Sequence, residues 1–293
     1  MRDTLPPIIA PAKRGFSLIE LSVVVLIIGV LIYMTLAMGR QQLQIARIKQ
    51  TQYKEQKIQT ALAVYLKTYG HLPCPADGTL PNTSQYFGVQ GGQAGYSNPS
   101  SANGDASCPS SDLLTDYSIP NLYVGVVPTA DLGMSADSML DGWGNRFTYI
   151  VSASCVDPDD WSPSYSYRCG YYNTLNSTFN PTQDGARIIL KDNNGNQYPS
   201  FAAYLVISHG PHGYGAWPNN GGTKITVNGG GVVSTAEYYN GNLYTTNGSA
   251  KSGVAAYYDY YDAPINDGDI ASNYYDNITA WATSAQAYYA ANH

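Results

Sequence analysis

From Phe16 to Met38 the chain is apolar at nearly every position, and Glu20 is the one charged residue in those 23 positions. A helix needs roughly 20 apolar residues to cross a bilayer core, so this run predicts a transmembrane helix. Past Gly39 the pattern changes. Leu43, Ile45, Ile48, Ile58, Leu62, Tyr65, Leu66 and Tyr69 recur among polar residues, and the later ones are three or four apart on one helical face. Gly70 stands where a helix stops, and no proline intervenes before Pro73. One helix is therefore expected from about Phe16 to Tyr69, with an apolar stripe from Ile58 onward for a sheet to cover.

The remainder reads as short elements between long polar stretches. Leu72 to Gly78 is a turn cluster, and Pro81 to Ser111 is a surface loop of Gly, Ser, Asn, Pro and Gln. Tyr123–Val127, Phe147–Val151, Arg187–Lys191 and Ala202–Ser208 read as strands, Ala130–Leu140 as a short helix, and Asn194-Gly195 as a turn between the last two strands. From Tyr238 to Tyr289 there are eleven tyrosines, many in adjacent pairs, which do not fit one buried face of a strand. Half of these rings are expected to cover the sheet and its loops; an exposed set would bind a partner, a sugar polymer or another subunit.

Charge divides the chain. Six basic residues from Arg40 to Lys67 oppose Glu55 alone, whereas residues beyond 70 carry six basic and eighteen acidic side chains. An acidic head argues against a nucleic-acid partner, and a basic neck is either a solvated helix face or a contact for anionic headgroups. Arg2, Lys13 and Arg14 before the apolar run keep the N-terminus cytoplasmic and place the head across the inner membrane, in the periplasm.

The four cysteines, Cys74, Cys108, Cys155 and Cys169, all lie in the head, and an oxidising compartment allows them two disulfides. Three connectivities are possible. Cys74 with Cys108 and Cys155 with Cys169 is the expected pairing, because each closes a loop without periodic core pattern. Enzyme chemistry is not legible. His71, His209, His212 and His293 stand near no nucleophile turn, and no phosphate-cradling glycine loop occurs.

The small residue of the N-terminal junction, Gly15, lies before the apolar run, so cleavage there keeps the helix and frees the amine of Phe16. An acid such as Glu20 within a span costs about 2.5–3.5 kcal/mol near the bilayer centre, and the freed amine of a neighbouring subunit would neutralise it. Lys13-Arg14-Gly15-Phe16-Ser17-Leu18-Ile19-Glu20 resembles the prepilin cleavage and methylation motif of type IV pilins and type II secretion pseudopilins. The resemblance implies removal of leader 1–15 by a prepilin peptidase, methylation of Phe16, and a role for Glu20 in assembly with other subunits. Asp141-Gly142-Trp143-Gly144-Asn145 similarly resembles the turn before the first sheet strand of major pseudopilins.

The fold implied is α+β: a long N-terminal α-helix over 16–70, membrane-spanning over 16–38, packed on a small antiparallel β-sheet within a head of residues 71–293 with extended loops. The function implied is a structural, non-enzymatic filament subunit of a type II secretion system; the alternative is a minor type IV pilin acting as an adhesin. A secreted substrate or a surface glycan would be its further partner. In major pseudopilins a loop after the sheet binds calcium. The similarity of Ser208–Gly213 and Asp276–Trp281 to that region makes Ser208, Gly210, Asp276 and Asn277 the candidate ligands.

Overall fold

The computed structural model describes residues 17–91, 108, 122–152, 155–156, 187–192, 194–198, 202–226, 240, 257–262 and 277–292, without the side chains of 34–41 and a few others. Its first element is α1 (Leu18–Tyr69). Gly70 closes that helix in the left-handed region at φ 78°, its N–H donating to the Leu66 carbonyl at 2.8 Å. The chain divides into two compact units, Met1–Ala46 and Arg47–His293.

In the first unit, every described side chain from Leu18 to Tyr33 is exposed. The expectation of a transmembrane segment over 16–38, and with it that of a single-pass inner-membrane protein, is corrected here. Among the described residues no helix is long and apolar enough to cross a membrane.

The second unit is built on a four-stranded antiparallel sheet, ordered β1 (Leu122–Val126), β2 (Thr148–Ser152), β4 (Tyr204–Ser208), β6 (Ile278–Ala282). Its register sets Val124 opposite Ile150, Tyr149 opposite Val206, and Val206 opposite Ala280. Alternation along each strand divides the side chains between two cores. Tyr149, Val151, Tyr204, Val206 and Ala282 join Ile58, Leu62 and Leu66, which repeat every four residues along α1. On the opposite face Val124, Val126, Ile150, Leu205 and Ile207 pack with Ile188, Leu190, Ala202 and Trp217. Because the sheet is covered on both faces, β2 and β4 are buried at all five positions.

Ile188 and Leu190 come from β3 (Arg187–Lys191), which pairs in parallel with β5 (Tyr257–Tyr261) in a separate sheet. The tyrosine pairs of the C-terminal region thus include a strand that the adjacent-pair pattern did not announce. The turn at Asn194-Gly195 does not join β3 to β4 within one sheet. Gly195, at φ 81°, donates to the Asp192 carbonyl, and the chain folds back along β3 through Tyr198 N–H to Leu190 O and Ala202 N–H to Ile188 O. Only then does it enter β4.

Ala130–Leu140 is also not one helix. Turns close at Leu132 and Gly133, the latter at φ 64°, and only Ala136–Met139 forms a short 3₁₀ helix. The chain ends in α2 (Ser284–Asn292), whose start is fixed by a reciprocal capping box. Gln286 N–H donates to Thr283 Oγ1 at 3.2 Å, and Thr283 N–H donates to Gln286 Oε1 at 2.9 Å.

Candidate functional site

The same device opens α1. Ile19 N–H donates to Ser17 Oγ at 3.2 Å, and Ser17 N–H donates to Glu20 Oε2 at 2.9 Å. Ser17 and Glu20 therefore satisfy two of the donors that every helix start leaves without an intrahelical partner, and the acid also complements the positive end of the helix dipole. Ser-x-x-Glu before an apolar run is the sequence signature of this box. Gly15 and Phe16, the two processing residues, lie outside the described residues. Immediately after the box come Leu18, 88% exposed, and Ile19, 70% exposed, the first of a series of uncovered apolar side chains.

In the head, the sequence Asp141–Arg146 forms a hub between elements. Asp141 Oδ1 accepts the N–H groups of Trp143 and Asn145, both at 2.9 Å, and Oδ2 accepts the Ser208 hydroxyl at 2.7 Å. Gly142 N–H donates to Thr51 Oγ1 on α1 at 2.9 Å. A Cβ at Gly142 would collide with the Arg47 carbonyl, so glycine here permits close approach to the helix. Trp143 is half-buried. Arg146 is fully buried: Nε and Nη2 donate to Asn219 O at 3.2 and 2.6 Å, and Nη1 donates to Gly78 O at 3.0 Å and Leu80 O at 2.7 Å. Its guanidinium also lies 4.8 Å from the Phe87 ring centroid. One cation thus ties two separate loops, at Gly78–Leu80 and at Asn219, to the start of β2, a role its position in the motif did not reveal.

Beside this hub Glu55 is 4% exposed, and its Oε1 has no hydrogen-bond partner. Burial, with the nearby carboxylates of Asp141 and Asp262, pushes it up from 4.5 to about 8. Burial also raises Asp141, against the hydrogen bonds from Ser208, Asn145 and Trp143 that favour its ionised form. Lys54 does not neutralise Glu55. Its Nζ contacts Asp137 Oδ2 at 2.9 Å and donates to the carbonyls of Asp137 and Leu140 at 2.9 and 2.8 Å, so this member of the basic neck is buried in the head.

Cys74 and Cys108 form a disulfide with Cα atoms 5.7 Å apart. Cys155 is disulfide-bonded as well, and Cys169 lies outside the described residues. Of the candidate calcium ligands, Ser208 gives its hydroxyl proton to Asp141, Gly210 offers its carbonyl to Asn145 Nδ2 at 3.4 Å, and Asp276 lies outside the described residues. Asn277 is buried with neither side-chain atom hydrogen-bonded. Calcium takes six to eight oxygen ligands, and among the described residues no group of three or more His, Cys, Asp or Glu side chains could hold a metal. His209, which bonds Thr148 Oγ1 through Nε2 at 2.8 Å, is pulled down to about 3 by burial and by Lys224.

Residues 11–35 match the Prokaryotic N-terminal methylation motif. The chain therefore carries a short N-terminal prepilin-type motif typical of the type IV pilin and pseudopilin superfamily, a class of structural, non-catalytic proteins that work through pilus-assembly and secretion machinery. The match ends within the first unit. No curated protein and no solved structure matches the chain.

Proposed function

We propose that this protein is a structural subunit of a type IV pilus-like filament, of the pseudopilin kind that serves type II secretion. The observation that carries the reading is the methylation motif running directly into a helix whose apolar side chains, Leu18 to Tyr33, stand exposed on all sides. A helix apolar all round requires a cover, and equivalent helices of neighbouring subunits supply one of matching chemistry. In this reading the leader is removed after Gly15 by a prepilin peptidase and Phe16 is methylated. Glu20 then exchanges its bond to Ser17 for the amine of an adjacent subunit. The second reading, a minor pilin acting as adhesin, is favoured by the 223 residues beyond Gly70, and surface fibres rather than a short secretion filament would distinguish it.

The test compares Glu20→Val with Ser17→Ala in the full-length chain. Both remove the capping box, which contributes about 1 kcal/mol to helix start. Intact mass of wild-type filaments is expected to show loss of fifteen residues and one added methyl group. Glu20→Val is expected to be processed but not incorporated, and Ser17→Ala to be processed and incorporated. Equal loss of incorporation in both variants would reduce Glu20 to a helix cap, and leader-bearing protein in wild-type filaments would sink the reading altogether.

A further inference from the structure

Within the second unit α1 buries Ile58, Leu62 and Leu66 against the sheet and turns its opposite face outward. That outer face carries Lys49, Tyr53, Lys57, Thr60, Val64 and Lys67, which follow one another at three or four positions and are all exposed. Tyr53 and Val64 are uncovered by 57% and 59%, high for side chains of their kind. Lys57 Nζ lies 4.6 Å from the centroid of the Tyr53 ring, so cation and ring form one raised contact. Glu55, the one acid between Arg47 and Tyr69, is buried on the other side of the helix. No exposed carboxylate on the helix therefore offsets the lysines. From Lys49 to Lys67 the stripe runs about 27 Å along the helix axis.

We propose that this stripe docks onto the acidic head of a second copy of the chain. Beyond residue 70 there are eighteen acidic and six basic side chains, and Arg146, one of the six, is buried and spent on carbonyls. Among the described acids Asp137 keeps its side chain 75% exposed. One molecule thus presents a basic stripe and an acidic surface, and two copies can satisfy both. The head also decides against other anionic partners. An anionic bilayer or a nucleic acid that reached the stripe would meet a head of opposite preference, repelled at the same range at which the lysines attract. A foreign acidic protein meets the same repulsion. A second copy brings its own stripe to that head, so attraction works in both directions, and Tyr53 and Val64 add apolar contact at the centre of the face.

Neighbouring copies come from the filament reading, on which this contact rests, but its test needs neither leader removal nor assembly, so each can fail without the other. Full-length chain in neutral detergent, which covers Leu18–Tyr33, is mixed from heavy-isotope-labelled and unlabelled copies and treated with a carbodiimide, which condenses a lysine amine with a carboxyl group and releases water. Mass spectrometry is expected to find mixed-isotope links from Lys49, Lys57 or Lys67 to head carboxylates. Sedimentation velocity is expected to show self-association that weakens about tenfold when Lys49→Glu and Lys57→Glu are combined, the worth of two or three exposed ion pairs. Raising NaCl from about 0.1 M to about 1 M, which shortens the range of charge attraction from about 10 Å to about 3 Å, should weaken it likewise. Lys49→Arg with Lys57→Arg keeps the charge and should leave association unchanged. Both pairs lie on exposed positions, and unchanged circular dichroism confirms their folding. Links confined to single copies, or association indifferent to salt and to charge reversal, overturn the proposal. Binding of phosphatidylglycerol vesicles that the Glu pair abolishes, with no link between copies, overturns it in favour of a lipid surface.

Discussion

Glu55→Gln tests the polar interior beneath α1. Glu55 titrates at about 8 in the folded protein against 4.5 ordinarily, so between those values the native state holds a proton that the unfolded chain has released. Stability then falls as pH rises, by about 1.4 kcal/mol for each pH unit. The contribution is complete below pH 4.5 and lost through pH 8, a total of about 5 kcal/mol, which is a large share of the stability of an ordinary domain. Glutamine copies the shape and neutrality of the protonated acid and has nothing to release. Wild type and variant should therefore be similarly stable near pH 4.5, and the variant should be more stable by about 3 kcal/mol at pH 7 and about 4 at pH 8. Urea unfolding of the full-length chain, followed by tryptophan fluorescence at half-unit steps from pH 4.5 to 8.5, measures the difference. Asp131 and Asp141 are also raised by burial and slope the same way, so it is the gap between the two curves that isolates Glu55. Parallel curves, or a variant less stable than wild type at pH 8, would refute the account of Glu55 as a proton-holding acid facing Asp141 and Asp262.

Two further substitutions probe the head. Arg146→Met removes a buried cation and leaves the carbonyls of Gly78, Leu80 and Asn219 without their donor, so a loss of about 3–5 kcal/mol is expected, read as a lower urea midpoint. Paired replacement of Cys74 and Cys108 by serine opens a loop of sequence separation 34, for which chain entropy gives about 4 kcal/mol, read as a lower urea midpoint; reduction of the wild type also opens the bridge of Cys155 and should cost more.

The long helix and its stop were legible because both are local. Apolar spacing from Ile58 to Leu66 and a glycine at Gly70 act through neighbouring backbone, whatever the rest of the chain does. The cores of β2 and β4 were legible for a similar reason: continuous apolar runs need burial on both faces. The Ser17–Glu20 box is equally local and stands in the sequence as Ser-x-x-Glu before an apolar run. What the sequence could not decide was partnership across distance. β3 and β5 are about seventy residues apart, and nothing in Arg187–Lys191 or Tyr257–Tyr261 specifies a parallel pair outside the main sheet. Arg146 looked like an ordinary residue at the start of a strand, yet its guanidinium is satisfied by carbonyls 66 to 73 positions away. Glu55 likewise counted as the lone acid of a basic neck until folding buried it beside Asp141 and Asp262. Hydrophobic periodicity records which face of an element is covered, but the free energy of a buried charge depends on the groups that folding brings around it, and only the tertiary structure supplies those.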